Sequence, residues 1–166
     1  EDGEVAFVGG INQYPHSVVS PGHRIAGENH DVYLELAGPS ASDVHHNFVQ
    51  RWNEASDRHA SDGSWGAADD LNFPTRASQP RGTAIAQVQR TIQAGRYTND
   101  QAAPDCERFP VAAGEKSILE QYITAIENAR RTIYIENQYI EVREIVSALD
   151  GALMRGVAVT VVVPGV

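Results

Sequence analysis

The chain has 166 residues, 42% of them hydrophobic, which excludes a disordered polymer and fits about one ordinary domain. Its formal net charge of −9 counts against nucleic-acid binding and against a polybasic membrane anchor, since both need clustered Lys and Arg. A single cysteine, Cys106, excludes an internal disulfide and any cysteine-rich metal site. The longest apolar run, Val157–Val163, falls far short of the roughly 20 residues of a membrane-spanning helix. Lysine occurs once, at Lys116, against twelve arginines. The chain opens on Glu1-Asp2-Gly3 and stops at Pro164-Gly165-Val166, which reads as a piece of a longer protein.

Glu4–Val8 reads as a strand that runs into Gly9-Gly10. Asp31–Leu36 alternates Val32, Leu34 and Leu36 with Asp31, Tyr33 and Glu35, a strand pattern stopped by Gly38-Pro39. Ser40 or Ser42 then caps a predicted helix to about Asn53, with Val44, Phe48, Val49 and Trp52 as its apolar stripe. From Glu54 to Gly82 Asp, Gly and Pro recur without periodicity, which predicts a long loop and a boundary. Charge divides there too: residues 1–83 hold five basic and twelve acidic side chains, residues 84–166 eight and ten. Thr83–Ile92 fits helix and strand equally, and Gly95–Gly114 reads as another loop. Ser117–Glu120 has the spacing of a capping box, and the helix after it ends near Arg130-Arg131. Thr132–Ile135 is a predicted strand and about Val142–Arg155 a helix with Gly156 as its cap. Val157–Val163 is a continuous apolar strand of the kind covered on both faces. The last 50 residues therefore alternate α-β-α-β, which predicts a parallel α/β arrangement.

No dinucleotide fingerprint, P-loop, H-E-x-x-H or G-x-S-x-G is present. His45 and His46 are adjacent on a helix and have Val49 and Gln50 four residues on, so they read as solvated residues and not metal ligands. Asp2 to Asn12 reads as one unit: an acid, a strand, two glycines and an Asn. Such a turn admits close backbone approach to a phosphate oxygen and offers a side-chain amide donor; a simple hairpin turn is the alternative. Asp31 alone reads as a solvent-facing strand acid.

The segment Asp2-Gly3-Glu4-Val5-Ala6-Phe7-Val8-Gly9-Gly10-Ile11-Asn12 resembles the one that completes the first H-x-K-x4-D motif of the phospholipase D superfamily. Asn29-His30-Asp31, Gly38-Pro39, Phe48 and Arg51-Trp52-Asn53 follow in the same order as that family's pattern. Gly114-Glu115-Lys116-Ser117-Ile118 and Arg130–Tyr139, with its I-E-N-Q-Y core, are also similar, and point to phospholipase D proper over nucleases or cardiolipin synthases. The resemblance implies an α/β fold, a mixed sheet flanked by helices (an αβα sandwich), of which this chain carries incomplete parts of two lobes. Residues 1–82 would close the first lobe and include a linker loop; residues 83–166 would open the second.

The implied chemistry is hydrolysis or transfer of phosphatidyl groups through a covalent phosphohistidine. One imidazole attacks phosphorus and another protonates the leaving alcohol, then activates water or an acceptor alcohol. The implied catalytic residues are Asp2, the acid of the first motif, and Asp31, which orients an imidazole. Gly9 and Gly10 fall on the motif's glycine pair and Asn12 on its phosphate-contacting Asn, all three substrate-binding positions, and Glu136, Asn137 and Gln138 fall on the C-terminal end of a parallel strand, where they would shape the head-group pocket or anchor a loop. No metal and no organic cofactor are implied. The partners would be a phospholipid, water or an alcohol, and a membrane surface touched peripherally by the parent protein. No H-x-K occurs in the chain, so both catalytic histidines would come from the rest of the parent, and the isolated segment should be inactive. Another phosphodiesterase of the superfamily, or a non-catalytic phosphate- or lipid-binding member, is the alternative.

Overall fold

A computed structural model describes residues 4–12, 14–17, 22, 31–57 and 69–164. The chain is mixed α/β: among the described residues, three α-helices and six short strands, the strands forming three two-stranded sheets. It divides into two compact units, Glu1–Val88 with Tyr97–Ala112, and Gln89–Arg96 with Ala113–Val166.

In the first unit, β1 (Val5–Val8) pairs antiparallel with β2 (Leu34–Ala37), from Val5 opposite Ala37 to Val8 opposite Leu34. The second strand starts three residues later than its alternation predicts. The reason is local: the Asp31 carboxylate accepts the Val32 N–H at 2.7 Å and withdraws it from the ladder. Helix α1 (Pro39–Asp57) starts ahead of both predicted capping serines, with Pro39 in its first turn where a missing N–H costs nothing. Gly38 precedes it at φ 111° and its carbonyl accepts the Ala41 N–H at 2.9 Å.

The buried face of α1 is polar. Ser42, His46, Gln50, Asn53, Glu54 and Ser56 lie inside with Ala41 and Val49, whereas Phe48 of the predicted stripe is exposed. Buried polar groups need partners, and these find them on distant backbone. Asn53 donates to the Leu71 carbonyl at 3.0 Å and accepts the Leu71 N–H at 2.8 Å. One Glu54 carboxylate oxygen accepts the backbone N–H groups of Thr98 and Asn99. His46 Nε2 lies 2.8 Å from the Gln101 carbonyl, and Ser42 Oγ accepts the Ser78 N–H at 2.8 Å. The expectation of solvated histidines is thus corrected at His46, which is buried and bonded. These contacts also carry α1 four residues past its predicted end at Asn53.

In the second unit, β3 (Thr91–Ile92) pairs antiparallel with β4 (Glu115–Lys116), and α2 (Ser117–Asn128) follows at once. Of the ambiguous Thr83–Ile92 stretch, only its last two residues enter a sheet. Ser117 does not cap α2; Lys116 occupies that position with no side-chain bond. The Ser117 hydroxyl instead accepts the Arg90 N–H at 3.0 Å and lies 2.9 Å from the Arg90 carbonyl and 2.8 Å from the Glu115 carboxylate. Arg90 Nε donates to that carboxylate at 2.6 Å. At Gly114, φ is 84° and a Cβ would stand 2.8 Å from the Ile92 carbonyl, so glycine is required. The Gly114–Ser117 motif is a lock that fastens the β3 segment to the start of α2.

Strands β5 (Thr132–Glu136) and β6 (Ala158–Val162) pair in parallel, joined by α3 (Arg143–Met154). The two helices and one sheet face bury Ile126, Leu149, Ala152 and Val157, with Ile133, Ile135, Ile145 and Val159 packed around them. On the other face Tyr134 and Thr160 are exposed, so the apolar run of β6 is covered on one side only among the described residues. Gly156, at φ 83°, closes α3 as predicted: its N–H donates to the Leu153 carbonyl and that of Val157 to the Ala152 carbonyl, at 2.9 and 3.1 Å. The cation at the end of α2 is Arg155, which donates to the Ile126 carbonyl at 2.9 Å; Arg130 and Arg131 lie beyond that helix.

Ser117→Ala removes the centre of the lock and should lower stability by about 1–3 kcal/mol, the cost of stranding half-buried polar partners. Urea unfolding of the chain measures it; an unmoved midpoint would show that the lock contributes nothing.

Candidate functional site

The turn after β1 is where the sequence candidates gather. Gly9 and Gly10 both lack a positive φ, so no left-handed turn explains them. Extending the β1–β2 register past Val8 sets Gly9 opposite Tyr33. The Tyr33 ring lies across it: a Cβ on Gly9 would stand 2.6 Å from Cδ1 and 2.7 Å from Cγ. At Gly10 a Cβ would stand 3.1 Å from Asp31 Oδ2. The glycine pair makes room for a ring and a carboxylate of the same chain.

Asp31 is exposed yet held. Its Oδ1 accepts the Val32 N–H, and its Oδ2 faces the Gly10 backbone. Two residues past Gly10, Asn12 is exposed, and its carbonyl accepts the Tyr14 N–H at 2.9 Å. Gly9, Gly10 and Asp31 are therefore neighbours, with Asn12 on the same turn. Asp2 lies outside the described residues. Tyr33 is the residue that sequence reasoning missed. Its signal is the strand alternation, which once the register is known puts an aromatic ring opposite a glycine.

Glu136, Asn137 and Gln138 belong to the second unit, at the C-terminal end of β5, and all three are exposed. The Asn137 N–H extends the parallel pairing to the Val162 carbonyl at 3.1 Å. Its side-chain oxygen accepts the Gln138 N–H at 2.8 Å. Glu136 accepts a hydrogen bond from the Tyr134 phenol at 3.2 Å. Local desolvation, and then the charge and acceptor role of Glu136, raise the Tyr134 phenol above its ordinary value. Strand spacing of two puts this pair on one sheet face.

Elsewhere, partial desolvation with Asp43 and Asp105 nearby pushes the Cys106 thiol up, which keeps it protonated and a poor nucleophile at neutral pH. Among the described residues, no three His, Cys, Asp or Glu side chains cluster as metal ligands would. No helix among them is long and apolar enough to cross a membrane.

Glu136→Gln removes the neighbouring charge while keeping an acceptor, so Tyr134 should lose its proton at lower pH than in the unaltered chain. NMR titration of the tyrosine rings measures this. An unmoved Tyr134 midpoint would show that Glu136 does not hold the phenol proton.

A family model described as Phospholipase D matches residues 7–142, a span that contains both candidate groups apart from Asp2. Phospholipase D alpha 1 of Zea mays is 32% identical over 118 residues, covering 66% of this chain and 14% of that protein. Phospholipase D alpha 3 of Arabidopsis thaliana is 34% identical over 122 residues, with the same coverage of 66% and 14%. Phospholipase D alpha 1 of Arabidopsis thaliana is 31% identical over 136 residues, covering 74% of this chain and 16% of that protein. The chain thus spans 14–16% of the length of these relatives. An α/β chain with a glycine turn seated against Asp31, matched along most of its length by that model, belongs to the phospholipase D family.

Proposed function

We propose that the protein carrying this chain cleaves phosphodiesters of phospholipids, transferring the phosphatidyl group to water or an alcohol. The observation that carries the reading is the anchored Asp31 carboxylate beside the glycine turn, in a chain of this family. Residues 1–82 would close one catalytic lobe and residues 83–166 open the other. The histidines and lysines of the reaction would come from the rest of the parent protein, because no H-x-K occurs here.

In this reading one imidazole attacks phosphorus, a P–N bond forms, and the P–O bond to the head-group alcohol breaks. A second imidazole gives that alcohol its proton. The same imidazole then takes a proton from water or an acceptor alcohol, whose oxygen displaces the phosphohistidine nitrogen. Asp31 accepts a hydrogen bond from an imidazole N–H, which fixes the tautomer and leaves the other nitrogen free to react. Asp2 supports the first motif. Asn12 donates its amide to a phosphoryl oxygen, and Gly9 and Gly10 let the backbone come close to it. Glu136, Asn137 and Gln138 belong to the lobe that residues 83–166 open, where they bind substrate or anchor a loop at the end of their strand. The parent touches the membrane peripherally to reach its substrate.

The full-length protein should release the head-group alcohol from phosphatidylcholine and form phosphatidylethanol when ethanol is present. The isolated 166-residue chain should show no turnover. In the full-length protein, Asp31→Asn should lower kcat by about 10²- to 10⁴-fold, the range for losing an imidazole's orienting acid. Cleavage of DNA in place of phospholipid would favour a nuclease, and phospholipid binding without turnover would favour a non-catalytic member.

A further inference from the structure

We propose that Tyr33 is a positioning residue for this chemistry: its ring, seated across Gly9, sets the height of the Gly9–Asn12 turn against Asp31. The inference rests on the phosphodiesterase reading. Three observations carry it. The ring edge is closer to Gly9 than any side chain at that position would allow, with Cδ1, Cγ and Cε1 at 2.6, 2.7 and 2.8 Å from where a Cβ would stand. The phenol oxygen lies 3.5 Å from the Ile11 carbonyl, too long for a strong bond, so the flat ring and not the hydroxyl does the holding. Half of the tyrosine remains exposed, so apolar burial alone does not account for its place.

The physical need is clear from the ladder. A glycine in an extended segment has no side chain to meet its cross-strand neighbour, and the backbone there is free to shift; an aromatic residue opposite it restores the contact. Here the segment is the one that leads to Asn12. Tyr33 holds Gly9 while Asp31, two residues earlier, meets Gly10, so one short stretch of chain grips two consecutive turn residues. If the ring is lost, the turn and the carboxylate can move relative to each other. A displacement of about 1 Å among reacting groups costs about 10²-fold in rate.

The test uses the full-length protein with phosphatidylcholine. Tyr33→Phe keeps the ring and should stay within about threefold of the unaltered kcat, since the hydroxyl makes only a long contact, 3.5 Å, to the Ile11 carbonyl. Tyr33→Ala should lower kcat by about 10- to 100-fold, with a smaller change in KM, in protein that circular dichroism shows to be folded. Tyr33→Leu replaces it if the alanine variant does not fold, with the same expectation. Gly9→Ala should also lower kcat, because its methyl group displaces the ring. Adding Tyr33→Ala to Gly9→Ala should then cost little more, which a purely additive structural effect would not give. An unaffected Tyr33→Ala kcat, an equal loss in Tyr33→Phe, or strict additivity with Gly9→Ala would overturn the positioning role alone. An inactive unaltered protein would overturn the phosphodiesterase reading and this role with it.

Discussion

The N–H of Val32 could have carried the β1–β2 ladder onward, but the Asp31 carboxylate takes it at 2.7 Å. A carboxylate accepting a backbone N–H forms a bond of the stronger, charge-assisted kind. Two things follow from that one exchange. The chain after Val8 is released from regular pairing, which lets Gly9 to Asn12 follow their own path. The carboxylate is also fixed through one oxygen, so its other oxygen faces Gly10 without a long search among rotamers. A strand that had begun three residues earlier would have drawn Gly9, Gly10 and Ile11 into the ladder.

Irregular chain is held in two different ways in this protein. In the first unit, α1 fixes Leu71, Ser78 and the stretch from Thr98 to Gln101 with Ser42, His46, Asn53 and Glu54, each bonded to distant backbone. In the second unit, the helices and the parallel pair share an apolar core around Ile126, Leu149 and Val157. Polar attachment suits segments that lack regular secondary structure, because their N–H and C=O groups need partners that no ladder supplies.

The second unit was the more legible of the two in the sequence. The strand predicted over Thr132–Ile135, the helix predicted over about Val142–Arg155 and the glycine at 156 each report a local rule that tertiary structure left intact. What failed to show was pairing at a distance. Hydrophobic periodicity gives no weight to a buried Asn53 or Glu54, so the stripe Val44, Phe48, Val49 and Trp52 finds the buried Val49 but also takes in the exposed Phe48 and misses the polar inner face. Ser117 has the spacing of a cap, but Arg90, 27 positions away in sequence, claims its hydroxyl. At the candidate site, the order of Asp31, the glycine pair and Asn12 was readable as a family pattern. The part played by Tyr33 was not, since nothing in one sequence states which residue a glycine will face across two strands.

The polar face of α1 has a thermal consequence. Detaching the segments it holds would uncover the polar groups of Ser42, Gln50, Asn53 and Glu54 as well as Val49 and the Phe73 ring, and hydration of the polar part offsets that of the apolar part, leaving a small heat-capacity change. Opening of that kind has a nearly straight dependence on temperature, whereas loosening the Ile126–Leu149–Val157 core follows the curved dependence of apolar surface. Cooling would therefore weaken the two halves of this chain unequally, with the oily side the first to lose its advantage.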